Sequence, residues 1–116
     1  MGVIGSGQVK RFSEFPGVDH QVFVDQELGS GSTTLGIVTI QPGAGIPPHR
    51  HKVEDCMIVL SGEADVMIEG RTTRATAGSG VVVPAGALHG ITNNGTEPFK
   101  ICFTWPSVHV ERILPK

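Results

Sequence analysis

The chain has 116 residues, a formal net charge of −2 and an isoelectric point near 6.2. Its length suits one domain, residues 1–116, with its own core. No basic stripe is present to follow a phosphate backbone, and no apolar run nears the roughly 18 residues of a spanning helix, so nucleic acid and membrane are both excluded as expected partners.

With 16 glycines, 8 prolines and 39% apolar residues, the composition is that of a turn-rich globular β protein. The N-terminus lacks a charged region followed by an apolar one, and two cysteines, Cys56 and Cys102, are too few for a disulfide framework. Both features read as a cytoplasmic chain with reduced thiols. Met1-Gly2-Val3-Ile4-Gly5-Ser6 matches a short myristoylation pattern, but no polybasic segment follows it, and the stretch is read as a Gly/Ser-rich leader.

Strands follow one another at short spacing. Val22 to Asp25 and Leu35 to Gln41 flank the Gly29-Ser30-Gly31-Ser32 loop, and Pro42-Gly43-Ala44-Gly45 ends the second strand. Asp55 to Leu60 and Ala64 to Glu69 flank Ser61-Gly62, and Glu69-Gly70 leads into Arg71 to Thr76. Val81 to Val83 is a β-branched run stopped by Pro84, which has no N–H for a central ladder. Ile91 to Asn93 and Phe99 to Trp105 close the series around Asn94-Gly95, a pair suited to a type I′ turn. Many short strands with Gly/Pro punctuation predict an all-β sandwich, barrel or jelly roll.

Three histidines stand out by context. Side chains two apart on a strand share a face, so His49 and His51 converge on one ion if that face is internal. In a regular strand Asp55, Met57 and Val59 keep the same parity, leaving Glu54 and Cys56 on the other face. His89, just after Pro84-Ala85-Gly86, comes from another strand. Imidazole and carboxylate donors suit one divalent transition metal ion: Mn, Fe, Ni, Co, Cu or Zn.

The segment Gly43 to Gly62 resembles the first motif of the cupin family: Gly43, five residues, His49-Arg50-His51, three residues, Asp55, six residues, Gly62. Asp55 stands where that pattern usually has Glu. Gly78, five residues, Pro84-Ala85-Gly86, two residues, His89, three residues and Asn93 resemble the second motif without departure. The resemblance implies a double-stranded β-helix, two antiparallel sheets in a jelly-roll barrel, with a metal between them and an open mouth. It places the ligands on His49, His51, Asp55 and His89, and gives Gly43, Gly62, Gly78 and Gly86 sharp turns that need positive φ or close backbone approach. Asp55 is shorter than Glu by about 1.5 Å, one C–C bond. Two arrangements therefore stay open: Asp55 as fourth ligand, or a three-imidazole site completed by water.

In the last strand Phe99, Ile101, Phe103 and Trp105 form one face and Lys100, Cys102 and Thr104 the other. The polar set, with Cys102, is a candidate pocket wall, and the apolar set a candidate packing surface for a homodimer. Val38, Met57 and Val59 are candidate inner-face and pocket residues, and His20 and His109 read as surface histidines. The resemblance leaves several functions open. The first expectation is a metal enzyme acting on a small polar or carboxylated molecule by Lewis-acid or O2 chemistry, of dioxygenase, decarboxylase, isomerase or lyase type. The alternatives are a non-catalytic ligand-binding or sensor domain and a storage or structural role.

Overall fold

A computed structural model describes residues 2–115, so Met1 of the myristoylation pattern and the terminal Lys116 lie outside the described residues. After a single 3₁₀ turn at Ser6–Gln8 come β1 (Lys10–Phe15), β2 (Val18–Val24), β3 (Thr34–Ile40), β4 (Gly45–His49) and β5 (Asp55–Ser61). They are followed by β6 (Glu63–Ile68), β7 (Arg71–Thr76), β8 (Gly80–Val83), β9 (His89–Thr92) and β10 (Phe99–Trp105). Every pairing is antiparallel. A six-stranded sheet has the order β1-β2-β3-β10-β5-β8 and a four-stranded sheet the order β4-β9-β6-β7. From β3 onward the chain passes back and forth between the sheets, which makes the architecture a jelly roll. Among the described residues no helix is long and apolar enough to cross a membrane.

Alternation decides what lies between the sheets. In β3 Thr34, Gly36, Val38 and Ile40 are buried while Leu35, Ile37 and Thr39 are partly open, the period-two pattern of a strand with one covered face. Val18, Val38, Ile40, Ile46, Val59, Val66, Ile91, Phe99, Ile101 and Phe103 meet in one core. The parity of β10 resolves accordingly. Its apolar set points inward, so Phe99, Ile101 and Phe103 are core and Trp105 packs against them, which withdraws that set as a dimer surface. The large apolar groups left exposed on β5 and β8 are instead Ile58, Leu60 and Val82.

The two prolines of β4, Pro47 and Pro48, are tolerated because β4 is an edge strand and its register shifts between Ile46 and His49. The shift leaves His49 opposite His89 of β9. Asn94 and Gly95 do not form a type I′ turn, since neither has positive φ. The buried Asn93 side chain organises this loop instead: its Nδ2 donates to the carbonyls of Ile40 and Glu97, each at 2.9 Å, and its Oδ1 accepts from Gly95 N at 3.0 Å.

Gly43, Gly62, Gly78 and Gly86 have φ of +85°, +81°, +89° and +79°. At Gly78 a Cβ would enter open space, whereas at Gly62 it would run into the Pro98 carbonyl oxygen. Gly78→Ala is therefore expected to cost about 1–2 kcal/mol, the left-handed penalty alone. Gly62→Ala is expected to cost about 1–3 kcal/mol more from overpacking. Urea denaturation of the two variants checks the order, and equal midpoints would contradict it.

Candidate metal centre

Four side chains named from the sequence meet between the sheets, though not from one regular strand. His49 ends β4, His89 opens β9, His51 lies two residues past β4, and Asp55 opens β5 in the opposite sheet. The chain bends over residues 51–54, so His51 and Asp55 approach from different sheets rather than by strand parity. All four are buried, at 3–6% exposure. One ligand nitrogen from each of His49, His51 and His89 lies within 4.8 Å of the others. The turn at Pro84 to Gly86 anchors this end: Gly86 N donates to the His51 carbonyl at 2.8 Å and Ala87 N to the Pro84 carbonyl at 3.1 Å.

The hydrogen bonds of the three rings fix their tautomers. His49 Nδ1 lies 2.9 Å from the Pro47 carbonyl oxygen, His89 Nδ1 3.0 Å from that of Ala87, and His51 Nδ1 2.8 Å from that of Glu111. A carbonyl only accepts, so each Nδ1 carries a proton, and in the neutral ring Nε2 is the nitrogen with a lone pair to give. His49 Nε2 and His51 Nε2 face each other at 3.1 Å, which between two such acceptors is no hydrogen bond but two lone pairs aimed at shared space. His89 Nε2 is buried without a partner. Three converging lone pairs in a buried site are the donor set of a transition metal ion, with the second ring nitrogen of each histidine already satisfied.

Asp55 fits the same description. Its Oδ2 is 3.7 Å from His89 Nε2 and 3.9 Å from His51 Nε2, and its Oδ1 is buried with no hydrogen-bond partner. A buried carboxylate without a donor or cation is costly. Ligands about 2.1 Å from one ion stand about 3.0–3.4 Å apart at right or tetrahedral angles; the His49–His51 pair at 3.1 Å meets that spacing, and the carboxylate lies a few tenths of an ångström outside it.

The other candidate residues divide. Val38 and Met57 line the cavity with Ile46, Ile91, Ile101, Phe103 and Trp105. Val59 lies deeper, fully buried in the core, and Cys102 is on the opposite face of β10 from Ile101 and Phe103. Both therefore stand away from the cavity. Cys56 is half-buried, and burial raises its thiol pKa as it does that of Cys102. His109 is exposed. His20 is not a surface histidine: it is 5% exposed, lines the cavity and stacks on Phe12 with ring centroids 4.8 Å apart. Its inward parity with Val18 and Val22 was a usable signal, hidden because β2 begins four residues before the expected strand start.

Arg112 is a further cavity residue without a sequence motif. The segment after β10 returns to the site, where Arg50 and Ile113 exchange two backbone hydrogen bonds of 2.8 Å. Arg112 Nη1 donates to His49 Nε2 at 2.8 Å, while its Nε and Nη2 donate to Glu14 on β1 at 3.0 and 2.8 Å. The cavity is narrow inside, about 30 Å³, and about 400 Å³ when counted out to its mouth.

The family described as "Cupin domain" matches residues 36–105 of the chain. A polyketide synthase, CurC, from Streptomyces cyaneus is 28% identical over 90 residues, 77% of this chain and 55% of that protein. The chain thus spans about half the length of this relative. Among solved structures, the polyketide cyclase RemF from Streptomyces resistomycificus superposes with a TM-score of 0.81 at 21% identity, covering 100% of this chain and 87% of that one. An oxalate decarboxylase from Lactobacillus farciminis gives 0.82 at 26% identity, covering 92% of this chain and 33% of that one.

Burial holds His49 at a pKa of about 3, and it also depresses His51 and His20 below the ordinary value of 6.5. Below pH 6.5 the unfolded chain takes up these protons before the folded one does. The stability they contribute is full above pH 6.5 and is lost as the pH falls toward 3. The urea midpoint of protein stripped of metal is accordingly expected to fall between pH 7 and pH 5, and a midpoint flat across that window would contradict neutral buried imidazoles. A second expectation concerns the C-terminal segment. A chain ending at Ser107 loses the carbonyl that orients His51 and is expected to bind metal about 10- to 100-fold more weakly, measured by competition with a chelator.

Proposed function

Because this chain belongs to the cupin family, we propose that it is a metal-dependent enzyme acting on a small polar or carboxylated molecule held between its sheets. The observation that carries the reading is the convergence of three buried, backbone-fixed Nε2 atoms beside the partnerless carboxylate of Asp55. His49, His51 and His89 hold one divalent transition ion, Mn, Fe, Ni, Co, Cu or Zn, and Asp55 is the fourth ligand. When bound, the ion supplies Lewis acidity toward a substrate oxygen or activation of O2.

The chain supplies the rest. The carbonyls of Pro47, Ala87 and Glu111 keep the imidazoles from turning. The apolar walls of Val38, Ile46, Met57 and Phe103 keep water away and so strengthen every charge interaction inside. The Asp55 carboxylate lowers the net charge of the centre and moderates its acidity. Three or four protein ligands leave a position for substrate, as catalytic sites require and closed structural sites do not. The names of the similar proteins, an oxalate decarboxylase and a polyketide synthase, support substrates with carboxylate or keto oxygens.

We also propose that the protein is a cytoplasmic homodimer. The exposed Ile58, Leu60 and Val82, on β5 and the edge strand β8, support the dimer.

Elemental analysis of protein purified without chelator is expected to give close to one transition metal per chain, and His49→Ala none. Absence of metal and of uptake on titration would end the proposal. Asp55→Asn is expected to weaken binding by about 10- to 100-fold or more. Parent-like affinity in that variant would make the site a three-histidine one.

A further inference from the structure

We propose that Arg112 binds the anionic oxygen of the substrate at this centre, and that the substrate is a small monoanion, a carboxylate or enolate carried on a compact apolar body. The inference rests on the metal-centre reading above. Arg112 is only 17% exposed in its side chain. Nε and Nη2 pair with the two Glu14 carboxylate oxygens, and the guanidinium lies over the Phe15 ring at 5.3 Å. This pairing fixes the plane of the group and leaves Nη1 projecting into the cavity. There it donates to His49 Nε2.

That acceptor has one lone pair. A His49 that gives its lone pair to a metal ion has none left for Nη1, and turning the guanidinium away would break both bonds to Glu14. A charged N–H left buried without an acceptor is costlier than a neutral one. The arrangement therefore selects a ligand that brings an oxygen anion beside His49, where it meets both Nη1 and the ion. The charge balance sets the valence: Glu14 offsets Arg112, and a divalent ion less the charge of Asp55 leaves one positive charge for the ligand to match. The other walls describe the body of the ligand. Val38, Ile46, Met57 and Phe103 are apolar.

The test uses Co²⁺-loaded full-length protein and acetate as the probe, followed by the visible absorption of cobalt, with acetamide as the neutral isostere. At saturating cobalt Arg112→Met is expected to reach one cobalt per chain and, compared at equal cobalt occupancy, to bind acetate about ten- to hundredfold more weakly than the parent. Its weak response to acetamide should match that of the parent. Acetate bound equally by cobalt-loaded parent and Arg112→Met overturns the role of Arg112 and leaves the metal centre standing, whereas a parent that takes up no cobalt overturns both. Should Arg112→Met fail to fold, Glu14→Gln carries the test, because it keeps Arg112 but removes its anchor. Acetate affinity is then expected to drop severalfold, and an unchanged affinity overturns the proposal.

Discussion

Three imidazoles are made to turn their Nε2 atoms toward one another inside a protein, and most of the surrounding structure follows from holding them there. His49 Nε2 accepts from Arg112 Nη1 at 2.8 Å; left free, the rings of His51 and His89 would turn to find hydrogen bonds of their own. Backbone carbonyls prevent it by binding each Nδ1. For His49 and His89 the carbonyl belongs to the residue two positions earlier, so each strand orients its own histidine. The register shift in β4 then sets the two rings opposite each other, 4.2 Å apart at their centroids. A cation at their meeting point turns that approach into coordination, and the unpartnered Asp55 Oδ1 adds a second reason for one.

His51 is held differently. Its orienting carbonyl comes from Glu111, 60 residues later in the chain, so the third ligand is in place only when the segment after β10 has docked. That segment is fixed by the Arg50–Ile113 bridge and by the ion pair between Arg112 and Glu14 of β1. The N-terminal strand, the C-terminal segment and the metal ligands thus form one connected network, and disturbance of either terminus reaches the site through His51 and Arg112.

The legibility of these parts tracks how local they are. The strands from β5 to β10 and the two histidine motifs could be read because period-two alternation, turn glycines and ligand spacing are properties of short stretches. The left-handed turns at Gly43, Gly62, Gly78 and Gly86 were legible for the same reason. β1 was not, since Lys10 to Phe15 carries little apolar alternation and four of its six residues are exposed. The face of β10 was ambiguous because both parities made chemical sense, and only the opposing sheet decides between them. His20 left a trace in the alternation of β2. Arg112 left none, because its meaning lies in Glu14 and His49, which are distant in sequence and meet it only in the fold.

The central claim is that His49, His51 and His89 carry their ring proton on Nδ1, held by a backbone carbonyl, and turn Nε2 to the shared site. Long-range ¹⁵N–¹H NMR of the histidine rings reads that state directly. The account predicts, for protein stripped of metal at pH 7, the Nδ1–H pattern for these three residues, with their Nε2 resonances alone moving on titration with Zn²⁺. Nε2–H tautomers at these positions would contradict it.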